Sequence, residues 1–272
     1  MRCGASWEKK DEHRNQPDPA PDRGDVWIWR CIDASTKLRI ANHISKTRDI
    51  IDAVPFLTKV ADRLDSFEVL LTTDKLRAYK AAILETFGVD APRNRIGRPA
   101  NPRKAFPPDL LYGQVDKERQ HGRLVCVDRK AVVGTLAQIQ AVLDRSGSCR
   151  VINTSFIERD NLSVRQHNGR TVRKTLSYSK DWQMHQYSID FEDAVHNFVR
   201  VHSSLRLELP EPRGRCKWKQ RTPAMAAGLT DHIWSLRELL TYKVTARLCR
   251  AAPVFVIVLS LPFANQLKEE LT

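Results

Sequence analysis

The stretch VWIWRCIDASTKLRIANHI, residues 26–44, carries the strongest fold signal in this sequence. Aromatic and β-branched residues lie on both sides of DAST, and Asp, Ser and Thr favour tight turns. This pattern predicts a β-hairpin with strands over about 26–32 and 37–44. The next apolar run, FEVLLTTD at 67–74, is short and ends in polar residues, which indicates a buried strand.

Helical patterns alternate with these strands. Thr47 is a candidate cap for a helix over roughly 48–65, although Pro55 lies inside its apolar pattern and could kink or shorten it. A second helix, about 75–87, is expected to end at Gly88. A hairpin followed by helix, strand and helix predicts a mixed α/β sheet with flanking helices.

Further elements are predicted downstream. NTSFIERDN opens a helix that Thr154 or Ser155 can cap, and Ser155 with Glu158 three residues later matches a capping box. The other expected elements are a strand at 123–134 and helices at 135–145, 180–207 and 233–240.

The charge balance predicts a polyanionic partner. Lys and Arg total 45 against 32 Asp and Glu, which gives a net charge of +13 and a pI near 9.7. Nucleic acid is the commonest partner of such a chain, and the alternative is a merely basic soluble protein. Residues 91–123 form a Pro-rich basic segment, either a DNA-contacting loop or a solvated insertion.

The cysteines and apolar runs indicate a cytoplasmic protein. Six cysteines form no C-x-x-C pair, which favours reduced thiols over zinc or a disulfide framework. The first 16 residues are too polar for a signal peptide. The apolar run at 251–264 is too short for a membrane span, so no membrane partner is expected; it is either a buried strand or has no settled structure.

Two acids stand where a metal site would need them. Asp74 ends a predicted strand, and Glu158 begins a predicted helix. Carboxylates that converge from separate elements can hold the two Mg²⁺ ions used in phosphodiester chemistry. Spacing alone is a weak signal among 32 acids, because many such pairs exist.

Five segments occur in an order that resembles one family. They are WIWRCIDASTKL (27–38), LTTDKLRAY (71–79), NTSFIERDNLSVRQHNGRTVRKT (153–175), HNFVRVHSSLR (196–206) and RTPAMAAGLTDHIWSLREL (221–239). Together they resemble bacterial insertion-sequence transposases of the insertion-sequence-one family, which have a DDE ribonuclease-H-like core. The resemblance covers about 24–240 and is looser between 90 and 150.

The resemblance implies roles for individual residues. Asp74 and Glu158 match the second and third catalytic carboxylates, which would bind two Mg²⁺ ions during DNA strand cleavage and transfer. His202 and Arg206 match a motif that packs near the site. The residues expected to contact DNA are Arg159, Asn161, Arg165, Arg170, Arg173 and Lys174. The implied partners are insertion-sequence ends, target DNA and further copies of this chain.

The first carboxylate departs from the family pattern. CGASW, residues 3–7, has Gly4 where the family has Asp, and Asp33 is a poor substitute because it lies in the hairpin turn. These departures predict three regions: an incomplete strand one with a flexible arm (1–25), the core (26–240) and an unmatched tail (241–272).

The departures also leave the function open. The main interpretation is a degenerate or truncated transposase copy, and the alternative is an inactive DNA-binding remnant. A generic nuclease of the same fold is disfavoured by the TPAMAAGLTDHIW segment.

Overall fold

Eighteen strands and α-helices make up the regular structure of the described residues. A computed structural model describes residues 2–4, 25–91, 104–121, 123–172, 176–177, 179, 181–213, 216–243 and 255–260. In chain order the elements are β1 (Arg2–Gly4), β2 (Asp25–Asp33), β3 (Arg39–Ser45), α1 (Ile50–Ala61), β4 (Val69–Asp74), α2 (Arg77–Phe87), β5 (Val89–Asp90), β6 (Lys104–Ala105), β7 (Leu111–Gln120), β8 (Arg123–Val133), α3 (Leu136–Ser146), α4 (Ser155–His167), α5 (Trp182–Ala194), β9 (Leu207–Arg213), β10 (Cys216–Lys219), α6 (Pro223–Ala226), α7 (Leu236–Thr241) and β11 (Phe255–Ser260).

Seven strands form the main sheet, which confirms the predicted mixed α/β class. β3 covers one edge of β2 in antiparallel pairing, as the hairpin prediction required. On the other edge of β2, β11 is antiparallel to β2 and parallel to β4. β7 is parallel to β4, and β8 closes the sheet as an antiparallel partner of β7.

Helices cover both faces of the sheet because its inner strands are apolar on both sides. On one face Trp29, Leu71 and Ile257 pack against α1 and α2. On the other face Leu70 and Val258 pack against α3 and α4. α5 and the second half of α4 lie over the hairpin, in a smaller cluster. No helix within the described ranges combines the length and apolar character needed to cross a membrane.

The place between β2 and β4 is filled, unlike the incomplete strand one expected from the sequence. β11 occupies it and pairs on both of its edges. The apolar run at 251–264 therefore does contain a buried strand, and Val256 to Leu259 are at most 1% exposed. Backbone groups of β2 and β4 that would otherwise face an open gap are paired here.

Two expectations about the middle of the chain were wrong. The basic segment 91–123 is not one loop, because β6 and the ten-residue β7 lie inside it; residues 92–103 fall outside the described residues. The helix predicted over 180–207 ends early. α5 passes into a π-helical turn at Val195–Val199, and the chain then leaves the helix.

Candidate active site

Asp74 ends β4 at the edge where three parallel strands present their carboxyl ends. Its Oδ1 accepts a 3.3 Å hydrogen bond from the Leu76 N–H. Burial, with a smaller contribution from the negative charge of Glu158, raises the pKa of Asp74 to about 6. The two predicted carboxylates therefore lie within electrostatic range of each other.

Glu158 lies in the first turn of α4 with 46% of its side chain exposed. Its Oε1 accepts a 2.7 Å hydrogen bond from the Thr154 hydroxyl. The capping box predicted around Ser155 does not form. Thr154 is the N-cap residue, and its hydroxyl bonds the Glu158 carboxylate instead of a backbone N–H.

A cation from β7 reaches the same carboxylate. The Lys117 ammonium donates to Glu158 Oε1, and only 15% of the Lys117 side chain is exposed. Two strand residues and one helix residue thus converge at this edge of the sheet: Asp74, Lys117 and Glu158. The ammonium supplies positive charge where the sequence predicted a metal ion.

We expect Asp74→Asn to stabilise the protein above pH 6 and to leave its stability unchanged below pH 4. An unfolded aspartate titrates near 3.9, so the folded protein holds an extra proton between that value and about 6. The stability from this group is present below pH 4 and is lost as pH rises through 6. The gain in Asp74→Asn above pH 6 is at most about 3 kcal/mol. Denaturant unfolding of both proteins from pH 4 to 8 measures it, and a pH-independent difference would contradict the prediction.

A buried ion network ties α4 and α5 to the hairpin. Arg30 donates to Asp160 at 2.8 Å and to Asp193 at 2.9 Å. Arg39 lies 2.8 Å from Asp160, 3.2 Å from Asp193 and 3.4 Å from Glu192. The two arginines are 1% and 4% exposed, so this is an interior network of two cations and three carboxylates.

The network fixes the helix that carries Glu158. Burial alone would raise the pKa of Asp160, but Arg30 and Arg39 hold it at about 2, so Asp160 stays ionised. Asp160 is two residues beyond Glu158 on α4. Its bonds to two strands therefore set the rotation of this helix and the position of the Glu158 carboxylate.

The residues expected to contact DNA are not all equally accessible. Arg159 is exposed beside Glu158, whereas Asn161 is only 6% exposed. Arg165 and Arg170 are half-buried, and Arg170 donates to the Ser179 hydroxyl at 3.4 Å. Arg173 and Lys174 lie outside the described residues.

His202 and Arg206 lie after α5 rather than within a helix. His202 Nδ1 accepts a 3.3 Å hydrogen bond from the Ser204 N–H. The Arg206 guanidinium stacks 4.2 Å from the centre of the Trp218 ring. Burial lowers the pKa of His202, with a further effect from the charges of Lys37 and Arg159. His202 is therefore in electrostatic range of the α4 cation next to Glu158.

Neither residue considered for the first carboxylate lies level with Asp74. Asp33 is fully buried, and its oxygens accept hydrogen bonds from Ser35 and Thr36, so it acts as a turn residue. Gly4 pairs with Asp25 at the far end of β2.

The donor set does not fit a two-metal site. Within the described residues no group of three or more His, Cys, Asp or Glu side chains could hold a metal ion. Asp74 and Glu158 supply two carboxylates, and Glu158 is already paired with Lys117. A pair of Mg²⁺ ions requires more oxygen ligands than these two residues provide.

Sequence analysis missed the ion network and Lys117. Arg30 was the available signal, because a charged residue at the centre of an apolar strand needs a buried partner. Lys117 gave no such signal in the sequence, since it lay in a stretch interpreted as a basic insertion.

Comparison of the chain with protein-family models, with curated proteins and with solved structures gave no match.

Proposed function

We propose that the chain is a DNA-binding protein of the DDE transposase type, with a ribonuclease-H-like core and a carboxylate site too incomplete for efficient strand cleavage. The observation that carries this is that Asp74 and Glu158, which are far apart in sequence, lie within electrostatic range of each other at the carboxyl edge of the sheet. Among the described residues no further His, Cys, Asp or Glu completes a metal-binding group with these two, and this favours the non-catalytic alternative over an active enzyme.

Cations around this edge support DNA as the partner. Arg159 is exposed beside Glu158, and the cations Arg159 and Lys37 both lie within electrostatic range of His202. A guanidinium can grip a phosphate through two hydrogen bonds. With the net charge of +13, these groups would hold the DNA backbone across the end of α4 and make binding strongly salt-dependent. The proposal includes the binding of several copies of the chain to the same DNA.

We expect Arg159→Glu to weaken binding to duplex DNA about tenfold at 0.1 M salt, because it removes one phosphate contact and adds repulsion. The slope of log affinity against log salt should fall by about one. Arg77→Glu is the matched control, since Arg77 is an exposed arginine on α2, on the opposite face of the sheet. Fluorescence anisotropy titrations measure both, and equal losses in the two variants would contradict the proposed surface.

An active transposase is the second candidate, favoured by the retained Asp74 and Glu158 pair. A nicking and strand-transfer assay in Mg²⁺ separates the two functions. We expect the chain and its Asp74→Asn variant to show the same background level of cleavage. Cleavage by the unmodified chain that disappears in Asp74→Asn would establish the enzyme and refute the non-catalytic function.

A further inference from the structure

β9 and β10 form a hairpin with a two-stranded sheet of its own. Trp218 of β10 pairs with Glu208 of β9, and Lys219 pairs with Leu207. None of the side chains described on these two strands is buried, so the hairpin adds nothing to the hydrophobic core. A two-stranded hairpin alone is at best marginally stable in water, and this one therefore depends on contacts at its base.

The contacts at the base set the direction of the hairpin. The His202 N–H donates to the Arg221 carbonyl at 3.0 Å, and the Arg221 Nε donates to the Leu205 carbonyl at 2.7 Å. The Arg206 guanidinium stacks on the Trp218 ring, 4.2 Å from its centre. These bonds join the residue before β9 to β10 and to the residue that follows it, so the hairpin is an ordered projection.

The two faces of the hairpin differ in charge. Lys217 and Lys219 are exposed and two residues apart on β10, and alternate residues of a strand share a face. The extra residues of the irregular pairing lie on β9, so β10 keeps this alternation. Trp218 lies on the other face together with Glu208 opposite it. The acidic side chain is therefore separated from the two lysines.

A line of contacts leads from the hairpin base to the first turn of α4. The ring of His202 lies 6.4 Å from the ring of His196, whose Nε2 is 3.1 Å from the Lys37 carbonyl oxygen. The Lys37 ammonium lies 3.6 Å from the centre of the Phe156 ring on α4. Arg159 is three residues beyond Phe156, so the two are neighbours on one side of the helix. The hairpin therefore begins beside the part of α4 that exposes Arg159.

The segment that contains the hairpin is strongly basic. Residues 206–221 include six Lys and Arg against two Glu, whereas the whole chain has 45 against 32. Exposed like charges repel one another, and a polyanion across them relieves that repulsion. An ammonium on a long side chain binds a phosphate as a point charge. The lysine face thus suits the backbone of a nucleic acid.

We infer that the β9–β10 hairpin is a second DNA-contacting element, which lays Lys217 and Lys219 against the phosphate backbone of the duplex that Arg159 contacts. Phosphate contacts carry no sequence information, so the hairpin holds DNA of any sequence. The inference rests on the proposed function for the identity of the partner as DNA. It adds a named element and a named face to that function.

Anisotropy titrations with duplex DNA test the loss of the lysine face. We expect Lys217→Glu combined with Lys219→Glu to weaken binding about 100-fold at 0.1 M salt and to lower the slope of log affinity against log salt by about two. The reason is the loss of two phosphate contacts. Arg77→Glu combined with Lys80→Glu makes the same change of net charge at exposed positions of α2, and should leave the slope unchanged.

A gain of binding tests which face is used. Leu207 is exposed and lies opposite Lys219, so Leu207→Lys adds a cation to the lysine face. We expect it to tighten binding and to raise the slope by about one. Glu208→Gln adds the same net charge on the other face and should not change the slope. A gain in Leu207→Lys cannot come from a variant that fails to fold.

Each contrary result has its own meaning. Equal losses in the hairpin and α2 variants, or equal slopes in Leu207→Lys and Glu208→Gln, would overturn the inference. If Arg159→Glu weakens binding and the hairpin variants do not, the proposed function stands without the hairpin. An unmodified chain that binds no duplex refutes the proposed function as well. Equally tight binding of polyglutamate through the same lysines would overturn DNA as the partner of this face.

Discussion

Asp160→Ala is expected to destabilise the protein by about 3–5 kcal/mol, the usual cost of removing one partner from a buried ion pair. The substitution leaves Arg30 and Arg39 with fewer carboxylates in an interior where neither can reach water. Single domains are stable by only about 5–15 kcal/mol, so this loss is a large fraction of the total. Denaturant unfolding followed by circular dichroism measures it.

Asp144→Ala is the matched control for this prediction. Asp144 is an exposed aspartate on α3 that accepts one hydrogen bond from Gln140. Its loss should change stability by less than about 0.5 kcal/mol. Similar losses in the two variants would mean that the network contributes nothing beyond a surface contact. Asp160→Ala should also displace Glu158, because Asp160 sets the rotation of α4.

Ile257→Asp is expected to abolish cooperative folding of the sheet. Ile257 is 0% exposed at the centre of β11, with β2 on one side and β4 on the other. The change removes about 1.5–3 kcal/mol of apolar burial. It also buries a carboxylate without a partner, which adds several kcal/mol more. Thermal unfolding and one-dimensional proton spectra should both lose the signature of a packed core.

Leu124→Asp is the matched control for Ile257→Asp. Leu124 lies on β8 with 52% of its surface exposed, so an aspartate there remains in water. We expect a change in stability within about 0.5 kcal/mol. If Ile257→Asp unfolded at the same denaturant concentration as Leu124→Asp, β11 would not be part of the sheet core.

Local signals account for the parts of the fold that the sequence predicted well. The hairpin has its turn residues between two apolar strands, and β4 with α2 forms a continuous strand–helix unit that ends at Gly88. Glu158 was assigned to the first turn of a helix from the S-x-x-E pattern of a capping box, and the box itself does not form. The structure places it in that turn.

Long-range pairings account for the parts that failed. No local pattern indicates that Ile257 pairs with Asp33, 224 residues earlier. β7 was hidden because its distal half is charged and exposed, so its composition resembles a loop. The position of the first carboxylate was assigned to Gly4 from the linear order of motifs, whereas strand register pairs Gly4 with Asp25, at the far end of β2.

The position of β11 also has a consequence for how the protein is made. A ribosome that has just completed β4 must add about 180 further residues before β11 emerges, which takes roughly 10–40 s at about 5–20 residues per second. Throughout that interval the nascent chain carries two long apolar strands with open edges and no central strand between them. Such edges recruit other chains, so synthesis of this protein should depend on chaperones that hold the nascent sheet until β11 arrives.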